Sequence, residues 1–101
     1  MEIKGKNALV TGGAIRIGKA ISSELAKHGV NIALHYHSSV DSAIALKPEL
    51  ESEGIRVGLF QQDLSETEAL PAFFSHIKDS FGQVDILVNN AGIYPRDRLK
   101  N

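Results

Sequence analysis

Short apolar runs that alternate with longer amphipathic stretches predict an α/β fold, a parallel sheet with helices on both faces. Three observations carry this reading. Four apolar runs occur along the chain, at residues 8–10, 32–34, 55–60 and 84–88. The segments between them have helical spacing, and a glycine (Gly29, Gly54 or Gly82) follows each. The first run passes through Thr11-Gly12-Gly13 directly into a helix, which is how a phosphate-binding turn is built. The expected order is βαβαβαβ, with right-handed crossovers.

Taken in order, the first strand is the run Ala8, Leu9, Val10. A first helix is expected over 15–28, with Ile17, Ala20, Ile21 and Leu25 on its apolar stripe and Gly29 as its stop. The second strand covers 30–36. Asp41 can cap a second helix that ends near Gly54, and Pro48 inside it predicts a kink or two shorter pieces, because an interior proline costs about 3 kcal/mol. The third strand covers 55–60. Ser65 and Glu68 have capping-box spacing, so a third helix is expected from there, with Leu70, Phe73, Phe74, Ile77 and Phe81 on its buried face. Pro71 places its start at or beyond the box. The fourth strand, 84–88, runs into Asn89-Asn90-Ala91-Gly92, and residues 93–101 read as loop.

Composition narrows the classes of function. The 101 residues suffice for one small domain, 1–101. Eleven Lys and Arg against twelve Asp and Glu leave a net charge of −1, which gives no electrostatic footprint for nucleic acid or an anionic membrane surface. The chain has no cysteine, so thiolate chemistry is excluded. It enters a strand within a few residues of its start, without the pattern of a signal peptide, and no apolar run approaches the ~18 residues of a membrane span. A cytoplasmic protein is expected.

The turn at residues 11–18, TGGAIRIG, supplies the chemistry. A helix N-terminus presents amide N–H groups without helical partners and a partial positive charge, and glycine lets a pyrophosphate approach without meeting a Cβ. The spacing is T-G-x-x-x-G-x-G with Arg16 in place of the middle glycine. A guanidinium at that point pairs bidentately with phosphate. A dinucleotide site of this type implies a Rossmann-type three-layer sheet, here partial, with strand order 3-2-1-4 and a crevice between strands 1 and 4. That order brings Asn89 to Gly92 beside Gly12, although they are far apart in sequence.

TGGAIRIG after strand 1, Asp63-Leu64 after strand 3 and the tetrapeptide Asn89-Asn90-Ala91-Gly92 after strand 4 together resemble the short-chain dehydrogenase/reductase family. The resemblance implies that Gly12, Arg16, Ile17 and Gly18 contact the pyrophosphate region and that Asp63 and Leu64 hold the adenine. It places Asn90, Ala91 and Gly92 along the ribose and nicotinamide side, with Asn89 bracing the strand. It also implies a small-molecule substrate and a parent protein that is a homo-oligomer, tetramer or dimer.

Cofactor choice follows from charge. An NAD-preferring site has an acid at the end of strand 2 for the ribose 2′-hydroxyl. Here that segment is His35-Tyr36-His37-Ser38-Ser39, without a carboxylate. A carboxylate about 4 Å from a 2′-phosphate would repel it by ~4 kcal/mol per charge pair at an effective dielectric of 20. Ser38, Ser39 and His37, with Arg16, offer donors instead, and NADP(H) is the expected cofactor. His35 and His37 alone supply too few ligands for zinc, so no metal site is expected.

A narrower resemblance is to pteridine reductases, on the R-x-G turn, on Leu34-His35-Tyr36-His37 with Ser39, and on Tyr94-Pro95. Ile15 and Ile93 depart from that pattern, which leaves a pterin, another carbonyl and a 3-oxoacyl thioester all open as substrates. The family works with a Y-x-x-x-K pair. Neither tyrosine fits, because Val40 follows Tyr36 and Arg98 follows Tyr94 at that spacing. The chain therefore reads as the cofactor-binding N-terminal half of an NADP(H)-dependent reductase. The alternative is a non-catalytic nucleotide-binding fragment or remnant.

Overall fold

Strand β1 (Asn7–Thr11) pairs in parallel on one side with β2 (Asn31–Tyr36) and on the other with β4 (Ile86–Asn89). Strand β2 pairs in turn with β3 (Val57–Gln61), so the sheet has the order β3-β2-β1-β4. The computed structural model describes residues 2–90. Three helices connect the strands: α1 (Arg16–Lys27), α2 (Val40–Glu51) and α3 (Leu70–Ser80).

The central strands are buried on both faces, as their near-continuous apolar sequence requires in a parallel sheet. Side chains alternate along β1, so Ala8 and Val10 join one core and Leu9 the other. The first core also takes Ile32 and Leu34 of β2, Ala26 of α1, and Ala43, Leu46 and Leu50 of α2. The second is built from Leu9, Ala33 and Phe60 against Phe73, Ile77 and Phe81. Two helices therefore cover one face and α3 the other, which gives three layers.

Five details differ from the sequence-based expectation. Helix α1 turns Gly18, Ser22 and Ala26 to the sheet, not Ile17 and Ala20, and Ile17 is 68% exposed. Small residues at i, i+4 and i+8 let the helix approach the sheet closely, so packing distance outweighs hydrophobicity on this face. Helix α2 starts after Ser39 as N-cap, and Asp41 lies in its first turn rather than at the cap. The same helix runs unbroken through Pro48, because Pro48 and Ile44 are both exposed and water can satisfy the carbonyl that proline leaves without a donor.

The Ser65–Glu68 capping box does not form. Ser65 donates its hydroxyl and its N–H to Asp63 Oδ1 at 2.7 and 2.9 Å, a short 3-10 turn covers Thr67–Ala69, and α3 begins at Leu70 with Pro71 in its first turn. Strands β3 and β4 each start two residues later than expected. Arg56 N–H donates to Asn31 Oδ1 and Asp85 N–H to Asn7 O, which ties the two approaches to the sheet without ladder pairing. No helix among the described residues is long and apolar enough to cross a membrane.

Candidate functional site

The carboxyl ends of β1 and β4 meet in register, with Thr11 opposite Asn89. Thr11 Oγ1 accepts the N–H of Asn90 at 2.8 Å and lies 3.3 Å from Asn89 Oδ1. Asn90 Nδ2 donates to Gly12 O at 3.2 Å. Asn89 thus braces the strand end, as expected, and the side chain of Asn90 braces the glycine turn as well.

Beyond Thr11 the backbone reverses through Gly12, whose φ is +61°, and enters α1. Arg16 also has a left-handed backbone, φ +53°, the only non-glycine among the described residues to do so. That conformation costs an L-residue roughly 1–2 kcal/mol, which is why the motif puts glycine there. The amides that follow, those of Ile17 and Gly18, have no acceptor within the helix and face the positive end of its dipole. A Cβ on Gly18 would overlap Gly12 O and come within 2.7 Å of Asn90 Nδ2, so only glycine allows α1 to start this close to both strands.

Gly12, Ile15, Arg16, Ile17 and Asn90 line one cleft at this end of the sheet. Gly12 and Ile15 also wall a second hollow, which continues along His35, Tyr36, His37, Ser38 and Ser39 at the end of β2. The two together make a groove from β4 across the turn to the start of α2. Among the described residues, no carboxylate lines either part.

A family model described as short chain dehydrogenase matches residues 6–101. The chain belongs to the short-chain dehydrogenase family. Its similarity to a 3-oxoacyl-acyl-carrier-protein reductase of Staphylococcus aureus (strain Mu50 / ATCC 700699) is 37% identity over 94 residues, 93% of this chain and 38% of the relative. Among solved structures, it resembles alternative dihydrofolate reductase 1 of Brucella canis complexed with NADP. The TM-score is 0.80 at 36% identity, over 89% of this chain and 35% of that one. L-sorbose reductase of Gluconobacter frateurii, complexed with NADPH and L-sorbose, gives a TM-score of 0.80 at 33% identity, over 98% of this chain and 41% of that one. The chain spans well under half the length of these relatives.

Within this short-chain dehydrogenase framework, Gly12, Arg16, Ile17 and Asn90 come together at the turn with Gly18 packed against Gly12 and Asn90, and His37, Ser38 and Ser39 share the adjoining hollow. Asp63 lies next to the latter. Its Oδ2 is 3.7 Å from His37 Nε2, while Gln61 Nε2 donates to His37 O at 2.9 Å. The Ser65 hydroxyl and then the Ser65 N–H hold the Asp63 carboxyl below the usual carboxylate range. Leu64 is half-buried against the α3 core. Ala91 and Gly92, and with them Ile93, Tyr94 and Pro95, lie outside the described residues.

Sequence reasoning missed His35. It is 2% exposed, accepts the Gly12 N–H at Nδ1 (2.9 Å), and donates from Nε2 to Gln62 O (2.8 Å). These partners define the neutral Nε2–H tautomer. Burial lowers its pKa, with a smaller lowering from His37, against a raising effect of the Gln62 carbonyl. The Gly13 N–H donates to His35 O at 3.1 Å, so one residue takes up two successive amides of the turn. Gly12 N–H is therefore committed to the histidine. The available signal was a polar ring placed directly after the buried run Ile32-Ala33-Leu34.

Proposed function

We propose that this chain is the NADP(H)-binding part of a short-chain oxidoreductase, with residues 1–101 as a single cofactor-binding unit. The observation that carries the reading is Arg16, a cationic side chain held in a glycine conformation at the mouth of the groove. Strain of this kind persists where the surroundings impose it and is concentrated at ligand sites. The guanidinium gives a phosphate a bidentate partner beside the Ile17 and Gly18 amides.

The residues present fit such a cofactor. Gly18 lets α1 start against Gly12 and Asn90, Ser38 and Ser39 offer hydroxyl donors, and the N-terminus of α2 adds a partial positive charge next to them. The absence of a carboxylate among the described residues of the hollow favours a 2′-phosphate over a free ribose hydroxyl. Asp63, turned to His37, stands at the adenine end, with Leu64 behind it. Asn90 lines the opposite end, with Ala91 and Gly92 following it in sequence.

NADP(H) supplies the hydride; this chain's residues bind and orient it. In a protein of the relatives' full length the acceptor is a carbonyl or pterin-type small molecule. The Brucella canis likeness supports a pterin, and the Staphylococcus aureus relative supports a 3-oxoacyl thioester. Neither tyrosine of this chain has a lysine four residues on, so the 101 residues by themselves bind without turnover. The test is calorimetric titration with NADPH and NADH. Tighter binding of NADPH is expected; equal affinities, or none, would overturn the reading.

A further inference from the structure

We propose that His35 is a positioning residue of the cofactor groove, a neutral ring that sets the spacing between the phosphate turn and the adenine loop and releases the turn when protonated. This rests on the NADP(H) reading above. The ring spans the two loops through one hydrogen bond at each nitrogen, to Gly12 on one side and Gln62 on the other. Gln62 immediately precedes Asp63, and Gly12 O accepts from Asn90 Nδ2, so both ends of the groove are tied to this one side chain. The edge of Phe73 packs at 5.8 Å between ring centroids and keeps the imidazole from swinging into the core.

Protonation acts at one end only. Nε2 already carries its hydrogen and keeps donating to Gln62 O. Nδ1 gains a hydrogen, which then faces the Gly12 N–H, donor against donor, across a 2.9 Å contact. Gly12 must turn away, and its carbonyl, which borders Gly18 and accepts from Asn90, moves with it. A cofactor that needs the turn intact binds the neutral ring, and by linkage its affinity falls as the ring takes up a proton. Among the described residues, the charged or titratable groups around the ring are few. They are His37 on the same strand, Asp63 paired with His37, Glu66 accepting from Gln62 Nε2 at 3.3 Å, and Arg16 across the Gly12 turn; α3 presents the apolar Phe73. Burial, which disfavours the charged ring, acts in the same direction.

The test compares NADP+ binding by the unaltered chain and by His35→Asn from about pH 7.5 down to about pH 5, a range carried below the ordinary histidine pKa of about 6.5 because burial lowers that of His35. The asparagine oxygen can accept the Gly12 N–H but cannot titrate. The 2′-phosphate of NADP+ also titrates in this range, equally for both proteins, and so cancels in the comparison. The unaltered chain is expected to lose up to about tenfold more affinity than the variant, the equivalent of one pKa unit. His35→Leu, with no acceptor, should bind weakly throughout. Identical pH profiles for the unaltered chain and His35→Asn would overturn the proposal.

Should the variants fail to fold, nitrogen-15 NMR of the unaltered chain decides. The Gly12 amide shift is expected to follow the His35 ring titration with the same midpoint, and an indifferent Gly12 amide overturns the proposal. Absence of NADP+ binding at every pH would sink the cofactor reading alone, since the Gly12 titration is read without ligand.

Discussion

The side-chain oxygen of Thr11 accepts the backbone N–H of Asn90 at 2.8 Å, across 79 positions of sequence. This bond joins the two strand ends that frame the groove. It forms because β1 pairs with β4 rather than leaving β4 to follow β3, and it puts Asn90 within reach of Gly12. The site is therefore a product of strand order, and its integrity can be probed one residue at a time.

Gly18→Ala should disrupt both fold and site. The new Cβ meets backbone, at Gly12 O, and backbone cannot move aside as a flexible side chain would. A loss of about 1–3 kcal/mol in urea unfolding is expected, with NADPH binding abolished. Unchanged stability would show that α1 can shift away from the sheet.

Arg16→Gly separates strain from binding. Glycine relieves the left-handed backbone by roughly 1 kcal/mol, and its greater freedom in the unfolded chain offsets most of that, so stability should stay within about 0.5 kcal/mol. NADPH affinity should fall roughly tenfold or more, because a charge-assisted hydrogen bond is worth about 1.5–3 kcal/mol. Paired urea melts and calorimetric titrations read both quantities.

Ser38→Asp should reverse cofactor preference. A carboxylate in the hollow beside His37 and Ser39 repels a 2′-phosphate and can accept from a ribose hydroxyl. The ratio of NADPH to NADH dissociation constants should rise by about tenfold or more. A ratio that does not move would place the adenosine ribose elsewhere.

Stability should depend on pH in two separate windows. The pKa of His35 lies below its ordinary 6.5, so the unfolded chain takes up a proton first as pH falls. Stability is full above that range and declines as pH drops through 6.5 toward the lower folded-state value. Asp63, held below its ordinary 3.8, contributes only above that value, and its share is lost as pH falls further. Urea midpoints measured across acid pH should show the first decline in the unaltered chain and lose it in His35→Asn.

Leu87→Lys should reduce self-association of the 101-residue chain. Among the described residues, Leu87 is 57% exposed on β4, which pairs with β1 on one side and with no strand on the other. A charged side chain on an edge strand opposes strand-to-strand addition. Light scattering after size-exclusion chromatography should show a smaller mean mass for the variant at equal concentration.

Much of the architecture was legible in the chain because its signals are local. The apolar runs and the glycine stops announced the elements, and the T-G-x-x-x-G-x-G spacing announced the turn. Ser65 and Glu68 misled for the same reason: their spacing is right for a cap, but Asp63 competes for the serine and wins at 2.7 Å. Ile17 misled because hydrophobicity alone does not reveal that Gly18, Ser22 and Ala26 give the closer fit to the sheet.

By itself, then, the sequence determined the order of elements, the family and the glycine turn that leads into α1, all of which depend on neighbours a few positions apart. Tertiary structure alone decided that His35 would hold Gly12 to Gln62 and that Asp63 would face His37. Each of those is a contact between separate strand ends or loops. No local pattern encodes such a contact, because the free energy that selects it arises only once the strands are side by side.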